Sequence, residues 1–249
     1  MTVDVDVNRA QDPYGEALER FAAELEGRPA ADVLRWAAGR YAHRLSLATG
    51  FGPEGCVLID LIGRARLPID LFTLDTGLFF EETYALWRGL ERRYGLTIRG
   101  VAPERTLDEQ ARAHGDRLWE REPDRCCRIR KVAPLEAELA RVDAWITGIR
   151  RDQTPQRAAA RVVQRDAKFG IVKINPLVDW TKKDVWRHIV EWDVPYNPLH
   201  DLGYSSIGCR PCTSPVQQGE DDRAGRWRGS AKTECGLHGS ATVPCRGVA

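Results

Sequence analysis

Five of the seven cysteines stand where sulfur chemistry can be done. Cys126 and Cys127 are adjacent, and Cys209 and Cys212 form a Cys-x-x-Cys pair in the segment CRPC. Four thiolates in a reducing compartment can bind zinc or an iron–sulfur cluster. Zinc sites commonly space their ligands two to four residues apart, which a bare Cys-Cys does not do. A cubane cluster offers four separate iron corners that neighbouring thiolates can reach. Structural zinc and buried free thiols remain the alternatives on these residues alone. Cys235 is different, lying near the end of the chain in the polar, small-residue segment KTECGLHGS. Lys232 and His238 lie within three residues of it, and cations beside a thiol favour the nucleophilic thiolate. The functional reading is a nucleophile on a mobile tail; the bland one is an incidental surface thiol. Cys56, inside the apolar run CVLID, reads as buried, and Cys245 as incidental.

Anion recognition is the second chemistry on offer. The loop Ala48–Gly55 (ATGFGPEG) is a small-residue turn that can present backbone N–H groups and a helix N-terminus to a phosphate or sulfate. It matches neither the Walker pattern nor G-x-G-x-x-G. The segment Leu74–Gly77 (LDTG) ends a second apolar run, and Asp75 there can bond a ribose hydroxyl or cap the next helix. Arg150 and Arg151 follow a strand end, while Arg157, Arg161 and Arg165 fall at i, i+4 and i+8, one face of a helix. Arg128, Arg130 and Lys131 follow the Cys-Cys pair, and Arg223, Arg226 and Arg228 sit in the tail. Guanidinium forks suit phosphate and sulfate oxygens, although most such runs are solvated faces.

These residues need elements to hold them. Short apolar runs at Arg44–Thr49, Ile69–Leu74, Thr97–Val101, Ala144–Ile149 and Ile171–Ile174 read as buried parallel strands. Helical patterns lie between them at Glu54–Arg64, Phe79–Tyr94 and Arg130–Arg141. Two more precede the first strand, at Pro13–Gly27 and Pro29–Ala42, and one follows the last, at Thr181–Glu191, capped by Asp179 or Thr181. Alternation of this kind means βαβ units and a parallel sheet, whose ligands sit beyond the carboxyl ends of the strands. That edge carries Thr49–Glu54, Leu74–Gly77 and Gly148–Arg157. The chain divides into an N-terminal helical segment (1–43), an α/β domain (44–200) and an irregular C-terminal segment (201–249).

Composition narrows the class further. With 43% hydrophobic residues and a formal net charge of +1, disorder over most of the chain is excluded and a uniformly basic nucleic-acid binder is disfavoured. No run approaches the roughly 18 apolar residues of a membrane helix. The N-terminus lacks a basic start followed by an apolar stretch, so no secretion signal is expected and the expected location is the cytoplasm.

Together, SLATGFGPEG, LDTGLFFEETY, CCRIRKVAPLEAEL, ITGIRRDQTPQR, NPLVDWTKKDVW, PYNPLHDLGYSSIGCRPCT, GRW at 225–227 and KTECGLH closely resemble the iron–sulfur branch of the APS/PAPS reductase family, the assimilatory adenylyl-sulfate reductases. The resemblance implies an α/β, parallel-sheet, adenine nucleotide alpha hydrolase-like (Rossmann-like) domain with helices on both faces and an irregular C-terminal tail. It implies a [4Fe–4S] cluster on Cys126, Cys127, Cys209 and Cys212, with Cys235 as the catalytic nucleophile. By the same likeness Lys131, Arg157, Arg223, Arg226 and His238 bind substrate, together with Thr49, Gly50, Phe51, Asp75 and Thr76. The implied reaction is thioredoxin-dependent reduction of adenosine 5′-phosphosulfate (APS) to sulfite and AMP through an S-sulfocysteine. The family's nucleotide loop usually has a serine where this chain has Gly50, so Thr49 or backbone amides must take over its hydroxyl. Leu78 replaces a common arginine. Rival readings are a reductase of the 3′-phosphorylated nucleotide (PAPS), an ATP-pyrophosphatase-type enzyme of the same fold, and a non-catalytic iron–sulfur or zinc protein.

Overall fold

The computed structural model describes residues 15–230, 232 and 234–237. Two helices come first, α1 (Gly15–Leu25) and α2 (Ala30–Tyr41). Leu18, Ala22 and Leu25 of α1 and Val33, Leu34 and Ala37 of α2 are buried in the main core, as their three- and four-residue spacing predicts. The chain then enters β1 (Leu45–Thr49), α3 (Pro53–Ala65), β2 (Asp70–Leu74), α4 (Glu81–Tyr94) and β3 (Ile98–Val101). Three short helices follow, α5 (Leu107–His114), α6 (Leu118–Arg121) and α7 (Pro123–Cys127). A wide turn (Arg128–Val132) leads into α8 (Ala133–Leu139), then β4 (Ala144–Ile146), β5 (Val163–Asp166), β6 (Ile171–Ile174) and α9 (Lys182–Glu191).

The six strands form one sheet in the order β3-β2-β1-β4-β6-β5. All pairs are parallel except β5 with β6. Leu47 of β1 lies between Leu71 of β2 and Ile146 of β4, an apolar row across the sheet centre. Helices cover both faces. The main core holds α1–α4 and α9, and a smaller one gathers Phe72, Leu74, Leu135, Leu139 and Trp145 on the other side. At one contact only glycine fits: a Cβ on Gly63 of α3 would stand 2.7 Å from the Tyr94 ring of α4. The strand order turns back between β1 and β4. A crevice opens at such a point beyond the carboxyl ends of the strands, and residues 49–55 and 147–157 meet there.

Two expectations fail. No helix carries Arg157, Arg161 and Arg165. Pro155–Arg157 is a single tight turn, and Arg165 lies on strand β5. The arginine spacing fits a helix, but the β-branched pair Val162 and Val163 is buried, Asn175 N donates to the Val162 carbonyl, and the segment pairs as an edge strand. The fully parallel sheet therefore gains an antiparallel edge. The expected helix at 130–141 also begins as the wide turn, with regular helix only from Ala133. Among the described residues after Gly203, one tight turn (Arg210–Cys212) and an isolated Thr213–Arg226 bridge are the regular features. No described helix is long and apolar enough to cross a membrane.

Candidate active site

Helix α7 ends on Cys126 and Cys127, started by Pro123 in its first turn. Cys209 and Cys212 bracket the Arg210–Cys212 turn, where Cys212 N donates to the Cys209 carbonyl at 2.9 Å. All four sulfur-bearing side chains line one small pocket with Leu78, Trp119, Arg130, Lys131 and Trp227. Burial pushes the thiols up, Cys126 to about 11 and Cys212 to about 12, and Cys127 in the same direction. Thr76 Oγ1 lies 3.3 Å from Cys209 Sγ. Arg130, buried behind the pocket, donates to the Thr76 carbonyl at 2.6 Å and to Gln110 Oε1 at 3.2 Å.

The pocket can be tested for the group that the family resemblance implies. Among the described residues no three Cys, His, Asp or Glu side chains are grouped to share one metal ion. The four sulfurs nevertheless line one pocket, and four thiols are the donor set of an iron–sulfur cluster. The indole Nε1 atoms of Trp119 and Trp227 are buried with no hydrogen-bond partner, and both side chains face this pocket. Buried donors without acceptors are costly, and cluster sulfide or thiolate would accept from them. The residues fit an iron–sulfur cluster.

Cys235 is partly exposed and does not line that pocket, though it lies near enough for its charge to act on Cys127. Its charge field involves Lys131, Arg157, Lys168 and Arg226. Burial lowers the pKa of Arg157, Arg226 and Lys168, so their positive charge is poorly solvated and calls for an anion. Lys131 is pulled down by burial, but Cys209, Cys235 and Cys127 outweigh that and hold it above the ordinary lysine value. Arg226 Nη1 donates to Ser206 Oγ at 3.4 Å, its guanidinium lies 4.5 Å from the Trp227 ring centroid, and its Nε is buried without a partner. Lys232, expected beside Cys235, instead pairs with Asp124 and lies 5.3 Å from the Trp227 ring centroid. His238 lies outside the described residues.

Two clefts meet at the arginines. One of about 570 Å³ is lined by Gly52, Glu54, Arg150, Gln153, Arg157, His200, Ser205 and Arg223. The other, about 1040 Å³, is lined by Arg157, Arg165, Lys168, Arg223, Arg226 and Glu234 among others. Arg157 and Arg223 thus face both. Arg157 Nη1 donates to Gln153 Oε1, and Gln153 Nε2 donates to Glu54 Oε1 at 3.1 Å. Arg150 Nε donates to the same Glu54 oxygen at 3.0 Å. The sequence marks Arg150 as a strand-end arginine, but not its frame with Glu54 and Gln153, nor Trp119, Lys168 and Glu234. Their only signal was proximity, which spacing along the chain does not carry.

The nucleotide-loop residues stand behind the cleft wall. Thr49 Oγ1 accepts from Phe51 N at 3.1 Å, closing the turn. Phe51 holds a left-handed φ of +59° and stacks its buried ring on Trp87; such strain in a non-glycine residue gathers at functional turns. Gly50 has open space around it. Asp75 Oδ1 accepts from Gly77 N at 3.0 Å and from Tyr84 Oη at 2.8 Å, so it builds a turn; the N-cap of α4 is Phe80. Thr76 is fully buried and serves the cysteine pocket.

The sheet and its crevice define an adenine nucleotide alpha hydrolase-like α/β protein. FMN adenylyltransferase of Candida glabrata shares this fold, with a TM-score of 0.54 at 13% identity over 96% of this chain and 82% of that one. The model of the phosphoadenosine phosphosulfate reductase domain matches residues 44–215, and the chain belongs to that family. Adenosine 5′-phosphosulfate reductase of Bacillus velezensis is 50% identical over 228 residues, 91% of this chain and 98% of that protein. Adenosine 5′-phosphosulfate reductase 1 of Bacillus subtilis is equally similar, 50% over the same shares. Phosphoadenylyl-sulfate (PAPS) reductase from Candida auris, solved as a phosphate complex, superposes with a TM-score of 0.71 at 36% identity over 81% of this chain and 97% of that one.

Proposed function

We propose that the protein reduces adenosine 5′-phosphosulfate to sulfite and AMP, with thioredoxin or a similar dithiol as reductant, in the assimilatory reduction of sulfate in the cytoplasm. One observation carries the reading: Cys235, partly exposed, lies within the charge field of Lys131, Arg157, Lys168 and Arg226, beside a pocket lined by four other thiols.

The chemistry follows from charge. Sulfate resists nucleophiles because its anionic oxygens shield sulfur, and AMP supplies a good leaving group. Lys131, Arg157, Arg223 and Arg226 neutralise the sulfate and phosphate oxygens and admit an anionic thiolate. The Cys235 sulfur attacks the sulfate sulfur, a sulfur–sulfur bond forms, and the electron pair of the broken S–O bond leaves with AMP. The dithiol then attacks the Cys235 sulfur, sulfite departs, and the second thiol closes the reductant's disulfide. The adenosine occupies the smaller cleft. The Thr49–Gly50–Phe51 turn lies behind that cleft's wall, Asp75 and Thr76 brace the turn beside the cysteine pocket, and His238 completes the tail's contribution. Cys126, Cys127, Cys209 and Cys212 would hold a [4Fe–4S] cluster. When bound, it supplies order and a fixed charge, since the thiol route is already complete in electrons.

The family's name and the Candida auris relative favour a second substrate, the 3′-phosphorylated nucleotide. The Bacillus relatives and the four cysteines favour the unphosphorylated one. Mass spectrometry of anaerobically purified protein mixed with each nucleotide decides. We expect one added sulfonate on the Cys235 peptide from adenosine 5′-phosphosulfate, absent in Cys235→Ser and removed by thioredoxin. No adduct on Cys235 would overturn the mechanism.

A further inference from the structure

The segment bearing Cys235 lies against the larger cleft and is fastened on both sides of the thiol. Lys232 pairs with Asp124. Lys168 Nζ donates to the Gly236 carbonyl at 2.6 Å, and Leu237 packs against the smaller core. The remaining fastening differs in kind. Glu234 Oε2 accepts from Arg223 Nη2 at 3.0 Å, and its Oε1 stands 3.9 Å from Arg157 Nη2. The two arginines that face both clefts thus hold a carboxylate of the chain itself.

We infer that Glu234 is a placeholder for the substrate's anion: its carboxylate occupies the Arg157–Arg223 pair in the free protein, and the incoming phosphosulfate displaces it. This rests on the reading of those arginines as substrate ligands. Arg157 is poorly solvated, its side chain only 18% exposed, and Arg223 lies close enough to repel it. The pair therefore needs an anion in either state. The Glu234 side chain is 44% exposed, and an ion pair so open to water shifts an equilibrium only a few-fold. A substrate anion that reaches both guanidinium forks outcompetes it. Glu234 and Cys235 are consecutive residues, so displacing the carboxylate releases one fastening of the backbone that carries the nucleophile. Anion binding and loosening of this fastening become coupled, and the coupling is reciprocal: whatever Glu234 takes from substrate affinity, substrate takes from tail docking.

The test uses the full-length holoprotein with Cys235→Ser, which cannot turn over, at fixed ionic strength. Glu234→Gln keeps the side chain's shape and removes its charge. In this background it should tighten adenosine 5′-phosphosulfate binding about two- to fivefold, the span of a partly exposed ion pair, and leave adenosine binding unchanged. Trypsin cleavage after Lys232 should speed up when adenosine 5′-phosphosulfate is added to the Glu234 protein, and should already be fast in Glu234→Gln without it. Unchanged or weaker nucleotide binding in Glu234→Gln, with weakened binding in Arg157→Gln and Arg223→Gln, would overturn the placeholder and leave the arginine assignment standing. Binding indifferent to both arginine variants would overturn the assignment and the placeholder together.

Discussion

The cysteines divide by burial and neighbours. Cys126, Cys127, Cys209 and Cys212 share one pocket whose burial raises the thiols Cys126, Cys127 and Cys212, so ligand exchange there must drive protons off sulfur. The purified protein should therefore be brown, and Cys126→Ser or Cys209→Ser should lose most of its iron while Cys56→Ser keeps it. Iron analysis and visible absorption read this directly. A colourless, active protein holding stoichiometric zinc would defeat the cluster. Acid should strip the iron, because protons compete with iron for the thiolates. That Cys126, Cys127, Cys209 and Cys212 belong together was legible in the sequence, because paired cysteines are written in residue type and order. Asp75 and Thr49 were legible only as polar residues at strand ends. Folding turned the one toward Gly77 and Tyr84 and the other toward Phe51.

At the scale of elements, strands and caps follow local rules where nothing competes. Thr181 caps α9 as expected: its hydroxyl accepts from Asp184 N, and the Asp184 carboxylate accepts from Thr181 N at 2.9 Å. Thr181→Ala should cost about 1 kcal/mol of stability and lower the melting temperature by about 2–4 °C, measured by thermal unfolding. Helix α9 closes the main core through Val185 and Ile189, so the loss would register globally. The same capping signature stands at Thr106 and Glu109, opening α5, where a T-x-x-E pattern was present to be read. The arginine helix shows the opposite case. A period of four in charged residues describes only how they are spaced, whereas the apolar Val162 and Val163 decided what the segment buries.

Across the whole molecule, ion pairs tie the edge of the sheet to its helices. Arg99 on β3 donates to Asp70 on β2 at 2.8 Å and to Glu138 on α8 at 2.8 Å. The Arg99 guanidinium holds the Asp70 carboxyl below the usual carboxylate value, against the opposing effect of burial. A folded-state value below the unfolded one means stabilisation that is present above the unfolded pKa and lost as pH falls through the folded one. Urea midpoints should therefore drop between about pH 5 and 2, and Asp70→Asn should flatten that limb. Identical slopes in both proteins would count against the pair.

The chain by itself determined the sheet's apolar strands, the helices between them, the division of sulfurs and the reaction they suit, because burial periodicity and ligand chemistry are written in residue types. Only the tertiary structure decided the antiparallel edge, the Glu54–Arg150–Gln153 frame behind Arg157, the unpartnered indoles of Trp119 and Trp227 at the cysteine pocket, and the seating of Glu234 on two arginines. Most bring together residues tens of positions or more apart in the chain; the β5–β6 edge is local but was settled by which side chains bury together. The long-range meetings depend on how the sheet twists and where its crevice opens, and no local pattern encodes them.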